Sequence, residues 1–213
     1  MKYESLIFDI DGTLWDSRAL VAQGYNLQLR DEGLERLCVD AERLRPLFGK
    51  VMTAIADELF PEFPEDVRYP LMERCMEREN RYLEENECRI GYAGIVQTLE
   101  ALAQNHRLFI VSNSQQGYPE LCISKLGLGR WIRGHLCFGD TGATKGKTIR
   151  LLMEREGITS CAYIGDTQGD YEATLEAGVP FIWASYGFDT PADWTLRIDA
   201  PADLLELERE GKL

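Results

Sequence analysis

The feature that most constrains this chain is the placement of four short apolar runs: "SLIFDI" at 5 to 10, "RLFIVSN" at 107 to 113, "CAYIGD" at 161 to 166 and "VPFIWA" at 179 to 184. Runs of this length, rich in β-branched and aromatic residues, read as buried strands. Helical patterns separate the later ones, as in "GYAGIVQTLEALAQNH" at 91 to 106 and "KGKTIRLLMEREG" at 145 to 157. Strands alternating with helices predict an α/β fold built on a parallel sheet covered on both faces.

The alternation fails between the first and second runs. There "SRALVAQGYNLQLRDEG" at 17 to 33 opens on a Ser suited to N-capping, and Val67, Leu71, Cys75 and Leu83 fall near one face of a second, longer helix. Pro46, Gly49, Pro61 and Pro64 divide the remainder into short helical pieces. The simplest account is an all-helical insertion, residues 17 to 88, into a core made of residues 1 to 16 and 89 to 213. The C-terminal "PADLLELEREGKL" reads as a final amphipathic helix with Pro201 in its first turn.

Charge narrows the partners. A net charge of -13 and a pI near 4.7 argue against nucleic acid and membrane surfaces, which need an extended basic patch. An anionic substrate must then be held by a local positive site. The six cysteines, at 38, 75, 88, 122, 137 and 161, form no C-x-x-C pair and read as buried thiols of a reducing cytoplasm. "MKYESLIFDI" fits neither a signal peptide nor an anchor, and no stretch approaches the roughly 18 apolar residues of a membrane span. A cytoplasmic monomer or weak homodimer is expected.

In an open parallel sheet, ligands bind beyond the carboxyl ends of the strands. The residues closing the runs are Asp9 and Asp11, then Ser112 and Asn113, then Asp166 with Asp170; Lys145 and Lys147 open the helix leading into the third run. Carboxylates at the end of a hydrophobic strand are costly unless a cation compensates them. Oxygen ligands without His or Cys suit Mg²⁺, with Asp9 and Asp166 as candidate ligands. A carboxylate can also attack phosphorus, and a second one two residues on, Asp11, can protonate the leaving oxygen and then activate water. Ser112 can hydrogen-bond phosphoryl oxygens, and a lysine supplies compact positive charge.

"DIDGT" after the first strand, a Ser closing the second, a Lys opening a helix and "GDTQGD" after a later strand resemble the four motifs of the haloacid dehalogenase-like hydrolases. The layout is similar to that of phosphoglycolate phosphatase-like members, and the insertion resembles their helical cap. The resemblance implies a Rossmann-like core and a Mg²⁺-dependent phosphatase acting on a small phosphorylated metabolite through an aspartyl-phosphate. It implies that Asp9 is nucleophile and metal ligand, that Asp11 is acid/base with its carbonyl on the metal, and that Asp166 is the further protein ligand. Thr13, Ser112, Asn113 and Lys145 fall in the phosphate-binding set, and Asp170 supports the metal shell.

One departure is that many capped relatives have Lys-Pro where this chain has Lys145-Gly146, which makes Lys147 a competitor. A helix start near Thr144 to Gly146 puts Lys145 at its mouth and Lys147 about 200° around the helix. The alternatives are a phosphosugar mutase, which commonly has Val where Thr13 stands, a dehalogenase, against which Asp11 speaks, and a phospho-aspartate receiver-like switch. Asp170 can also simply cap its helix, and Arg18, Arg45 and Lys50 read as solvated charges. His106 and His135 lie beside strand starts and receive no catalytic role.

Overall fold

The computed structural model describes residues 2–87 and 90–213. The chain divides into two compact units, one of Met1–Asp16 with Ile90–Leu213 and one of Ser17–Arg89. The expected boundary at residue 88 or 89, and the expected burial of Cys88, fall outside the described residues.

Strand β1 (Ser5–Phe8) is followed by the helical unit: α1 (Arg18–Asp31), α2 (Ala41–Leu44), α3 (Met52–Leu59) and α4 (Glu65–Glu85), with single 3₁₀ turns at Glu35–Leu37 and Arg45–Leu47. Then come α5 (Ile95–Leu102), β2 (Arg107–Ser112), α6 (Tyr118–Leu126), β3 (Ile132–Cys137), α7 (Phe138–Thr141) and α8 (Lys145–Glu156). The chain closes with β4 (Cys161–Gly165), α9 (Gln168–Ala177), β5 (Phe181–Ala184), β6 (Leu196–Ile198) and α10 (Asp203–Arg209). Among the described residues no helix is long and apolar enough to cross a membrane.

The six strands form one sheet in the order β3-β2-β1-β4-β5-β6, and every neighbouring pair is parallel. Parallel register aligns Ile7 with Phe109 and Tyr163, and Tyr163 with Phe181, so these side chains share one face. That face packs on Ile149 and Leu152 of α8 and Ala173 of α9. Leu6, Phe8, Leu108, Ile110 and Ile164 point the other way and are equally buried, which is why the central strands read as unbroken apolar runs.

Strands β3 and β6 have no such run. They are the sheet's two edges, where partial exposure permits Arg133 and His135 in β3 and Arg197 in β6. His135 therefore lies within a strand, not beside a strand start.

The helical unit encloses its own core, including Val21, Tyr25 and Leu29 of α1, Leu44, Leu59, Phe60, and Leu71 and Cys75 of α4. Leu83 is buried as well, but Val67 is 43% exposed and does not belong to the packed face. Ser17 occupies the N-cap position of α1 without a side-chain capping bond. Pro201 lies ahead of the N-cap residue of α10, Ala202. The described cysteines are free thiols; Cys75, Cys122, Cys137 and Cys161 are buried and Cys38 is half-buried, contrary to the expectation for it.

Candidate active site

Phe8 pairs with Ile110 on one side and Ile164 on the other, so β1 ends one residue short of β4 and two short of β2. The strand order reverses between β1 and β4, where an α/β sheet opens a crevice beyond its carboxyl edge. Asp9 follows β1 directly and its backbone N–H donates to Ile164 O at 2.8 Å. Asp166 follows β4, and Ser112 closes β2.

Directly after Asp9 the chain coils on itself. The N–H groups of Thr13, Leu14 and Trp15 converge on Ile10 O, and Gly12 N–H returns to Trp15 O at 2.9 Å. Gly12 has φ +80°, and a Cβ there would stand 2.1 Å from Asp166 Oδ2. Gly187, from the opposite side, would place a Cβ 2.3 Å from Asp166 Cβ. Both positions must lack a side chain for the backbone to close around this carboxylate. Asp166 Oδ2 accepts from Phe188 N at 2.7 Å and Oδ1 from Thr13 Oγ1 at 3.4 Å.

Lys145 is the first residue of α8, started by Thr144, whose hydroxyl accepts from Lys147 N. The Lys145 side chain is buried and reaches Asp9 Oδ1 at 3.0 Å and Asp170 Oδ1 at 2.6 Å. Lys147 is exposed. Asp170 is doubly used. At the third position of α9 it completes a capping box with Thr167, accepting from Thr167 N at 3.0 Å and Thr167 Oγ1 at 2.7 Å. It also accepts from Asp166 N at 3.2 Å and from Tyr163 OH at 3.3 Å.

Charge in this cluster is unbalanced. Burial pushes the Asp9 carboxyl up to about 7, with Asp170 and Asp11 adding to the rise and Lys145 opposing it. Burial, followed by the charges of Asp170 and Asp9, raises Asp166 well above the carboxylate range. Burial works to raise Asp170 too, but the charge and hydrogen bond of Lys145 outweigh it and hold this group low. For Lys145, burial favours the neutral amine, and Asp170 and Asp9 together reverse that.

Carboxylate oxygens of Asp9, Asp166 and Asp170 lie within 4.8 Å of one another. Three buried carboxylates facing one lysine, with only oxygen donors, suit a hard divalent cation. Asp170 already accepts from Lys145, Tyr163, Thr167 and Asp166 N, so the carboxylates suited to hold a metal are Asp9 and Asp166.

The other expected site residues are distributed around this cluster. Ser112 Oγ accepts from Ser114 N at 3.2 Å and is buried, with half-buried Asn113 next to it. Thr13 turns its hydroxyl to Asp166, and its carbonyl accepts from Tyr186 OH at 3.0 Å. Asp11 Oδ1 accepts from Trp15 Nε1 and from Tyr118 OH, each at 2.8 Å. Tyr118, Tyr163, Gly187 and the backbone of Phe188 had no signal in the sequence and meet the site through tertiary packing; Thr167 carried one, its three-residue spacing to Asp170 that marks a capping box.

Comparison with known proteins gives a consistent picture. A family model described as haloacid dehalogenase-like hydrolase matches residues 6–184. A protein named phosphoglycolate phosphatase from Xanthomonas campestris pv. campestris is 29% identical over 216 residues, covering 95% of each chain. One of the same name from Agrobacterium fabrum is 31% identical over 196 residues, covering 87% of this chain and 82% of its own. Among solved structures, a haloacid dehalogenase-like family hydrolase from Streptococcus pneumoniae superimposes with a TM-score of 0.82 at 18% identity, over 97% of this chain and 99% of that one. A predicted phosphoglycolate phosphatase from Haemophilus somnus gives 0.83 at 21% identity, over 98% and 99%. At such identities these two likenesses speak for the fold.

Proposed function

Because the chain belongs to the haloacid dehalogenase-like hydrolase family, we propose that this phosphatase is Mg²⁺-dependent and hydrolyses a small phosphorylated metabolite through an aspartyl-phosphate on Asp9. The supporting observation is a buried cluster at the strand ends, in which Asp9, Lys145, Asp166 and Asp170 meet although Asp9 and Lys145 are 136 residues apart in sequence.

Asp9 attacks phosphorus, and an Asp9 O–P bond forms as the ester P–O bond breaks. Asp11 delivers a proton to the departing oxygen, then takes one from the water that attacks the phosphoenzyme, which releases inorganic phosphate and restores the Asp9 carboxylate. Lys145 offsets the negative charge that gathers when a phosphate meets Asp9, while Ser112, Asn113 and Thr13 border the phosphoryl position. Asp9, Asp166 and the carbonyl of Asp11 would hold the metal, and Asp170 fixes Lys145 and the backbone of Asp166. Mg²⁺, when bound, screens the repulsion between carboxylate nucleophile and phosphate. Residues 17 to 88 are assigned as the cap that selects the substrate. The names of the full-length relatives put 2-phosphoglycolate first among candidates.

The decisive experiment is phosphate release from a panel of phosphomonoesters with Mg²⁺, coupled to acid quench and peptide mapping of the labelled protein. Catalytic turnover with label on Asp9, and loss of both in Asp9→Asn, is the expected result. Label on another residue, or more than a few per cent of activity in deamidation-free Asp9→Asn, would refute the assignment.

A further inference from the structure

Asp11 is gripped from one side by two aromatic donors. The indole N–H of Trp15 and the phenol of Tyr118 both donate to Oδ1 at 2.8 Å. Neither ring is free to swing, since Trp15 is fully buried and Tyr118 is 2% exposed. The rings brace each other edge to face, with centroids 5.6 Å apart and planes at 78°. The coil from Ile10 to Trp15 delivers the indole, and the start of α6, set by Gly117 and Pro119, delivers the phenol. Strand β2 and the loop after it carry Tyr118 to a residue 107 positions earlier in sequence.

A carboxylate oxygen has two in-plane acceptor directions. With an N–H and an O–H both directed at Oδ1, a proton bound to Asp11 resides on Oδ2. We propose that Tyr118, together with Trp15, is a positioning residue of the proton-transfer steps: it locks Asp11 by Oδ1 and thereby makes Oδ2 the atom that exchanges the proton. This rests on the role of Asp11 proposed above. The Oδ2–H bond breaks as the proton passes to the departing ester oxygen, and Oδ2 then takes the proton of the attacking water. Tyr118 itself gains and loses nothing.

Tyr118→Phe tests this, because it keeps the ring and its packing on Trp15 and removes one donor. The measurement is the rate of phosphoenzyme formation, by rapid quench, from 2-phosphoglycolate and from p-nitrophenyl phosphate. An alkyl leaving group needs the proton, and nitrophenolate hardly does. Losing one of two donors on a general acid should slow the alkyl ester by about tenfold and the nitrophenyl ester by less than about threefold, with KM nearly unchanged. The ratio of the two rates is taken on one protein sample, so partial unfolding leaves it untouched. Equal slowing of both esters, no slowing of either, or an effect confined to KM would overturn the positioning role. If the wild-type protein forms no phosphoenzyme, it is instead the proposed function that falls.

Discussion

Lys145 donates to Asp170 Oδ1 across 2.6 Å, a shorter bond than its 3.0 Å contact with Asp9. The buried ammonium is thus held chiefly from α9, by a carboxylate that Thr167 and the backbone of Asp166 keep in place. Asp170→Asn keeps the shape and removes the charge, leaving Asp9 to balance Lys145. We expect kcat/KM to fall by roughly 10- to 100-fold and stability by on the order of 3 kcal/mol, the scale for breaking one side of a buried ion pair. Kinetics with thermal unfolding check both, and a folded Asp170→Asn of full activity would exclude the role.

Metal binding should be visible without turnover. A ligand bound only by the native state stabilises it by RT ln(1 + [L]/Kd), about 1.4 kcal/mol at ten times Kd. Mg²⁺ should therefore raise the melting temperature, and Asp166→Asn, whose amide oxygen can still accept from Phe188 N, should lose most of that response. Ca²⁺ should also stabilise, yet support little turnover, because its larger and looser coordination misplaces nucleophile and phosphate. A melting curve indifferent to Mg²⁺ would contradict the assigned ligands.

Gly146, the second residue of α8, separates two opposing effects. On helix propensity alone, Ala there would stabilise by up to about 1 kcal/mol. A Cβ at this position, however, would lie 2.6 Å from Glu176 Cβ and 2.8 Å from Ala173 O on α9. The Glu176 carboxylate, 2.5 Å away, can turn aside, but its Cβ and a backbone carbonyl cannot. Overpacking should win, so Gly146→Ala is expected to destabilise by about 1–3 kcal/mol and to push α8, with Lys145, away from the cluster. A rise in melting temperature would show that the helices adjust freely.

What the sequence disclosed divides along physical lines. β1, β2, β4 and β5 were legible because both faces of an inner parallel strand are buried, which writes an uninterrupted apolar run. β3 and β6 were hidden because an edge strand is half solvated: "IRGHLC" carries Arg133 and His135, and "LRI" is only three residues long. Asp9, Asp11 and Asp166 stood out because charge at the end of an apolar run is locally anomalous. The donors to Asp11 and Asp166 were illegible, since Tyr118 looks like any helix-start aromatic and Phe188 acts through its backbone N–H.

The helical unit carries a pH-dependent contact of its own. Arg74 grips Glu32 with Nε on Oε1 at 2.7 Å and Nη2 on Oε2 at 2.8 Å, tying the end of α1 to α4. The Arg74 hydrogen bonds hold the Glu32 carboxyl below its ordinary 4.5. A lowered folded-state value means that the contribution is full above pH 4.5 and is lost as pH falls through that folded value. Since the carboxylate is 25% exposed, Glu32→Gln should cost no more than about 1 kcal/mol at pH 7. The difference in melting temperature between variant and wild type should shrink steadily as pH falls below 4.5 through the lowered folded-state value. A difference that persists unchanged would assign the effect to packing.

The last prediction concerns which lysine serves the phosphate. Lys145 is buried at the mouth of α8 and bonded to Asp9, whereas Lys147 lies two residues on, exposed, with its backbone N–H engaged by the Thr144 cap. An ammonium that touches the nucleophile neutralises charge where the phosphoryl group arrives; one on the solvent face is screened from it. We expect Lys145→Met to lower kcat/KM by roughly 10² to 10³ and Lys147→Met by less than about tenfold. Lys145→Met also strips the buried carboxylates of their partner, so its activity should be expressed per folded protein, with Mg²⁺ present to offset their repulsion. Steady-state kinetics of the two purified variants at equal Mg²⁺ decide the matter. A crippled Lys147→Met beside an active Lys145→Met would move the phosphate site to the outer face of α8 and refute the arrangement proposed for Asp9, Lys145 and Asp170.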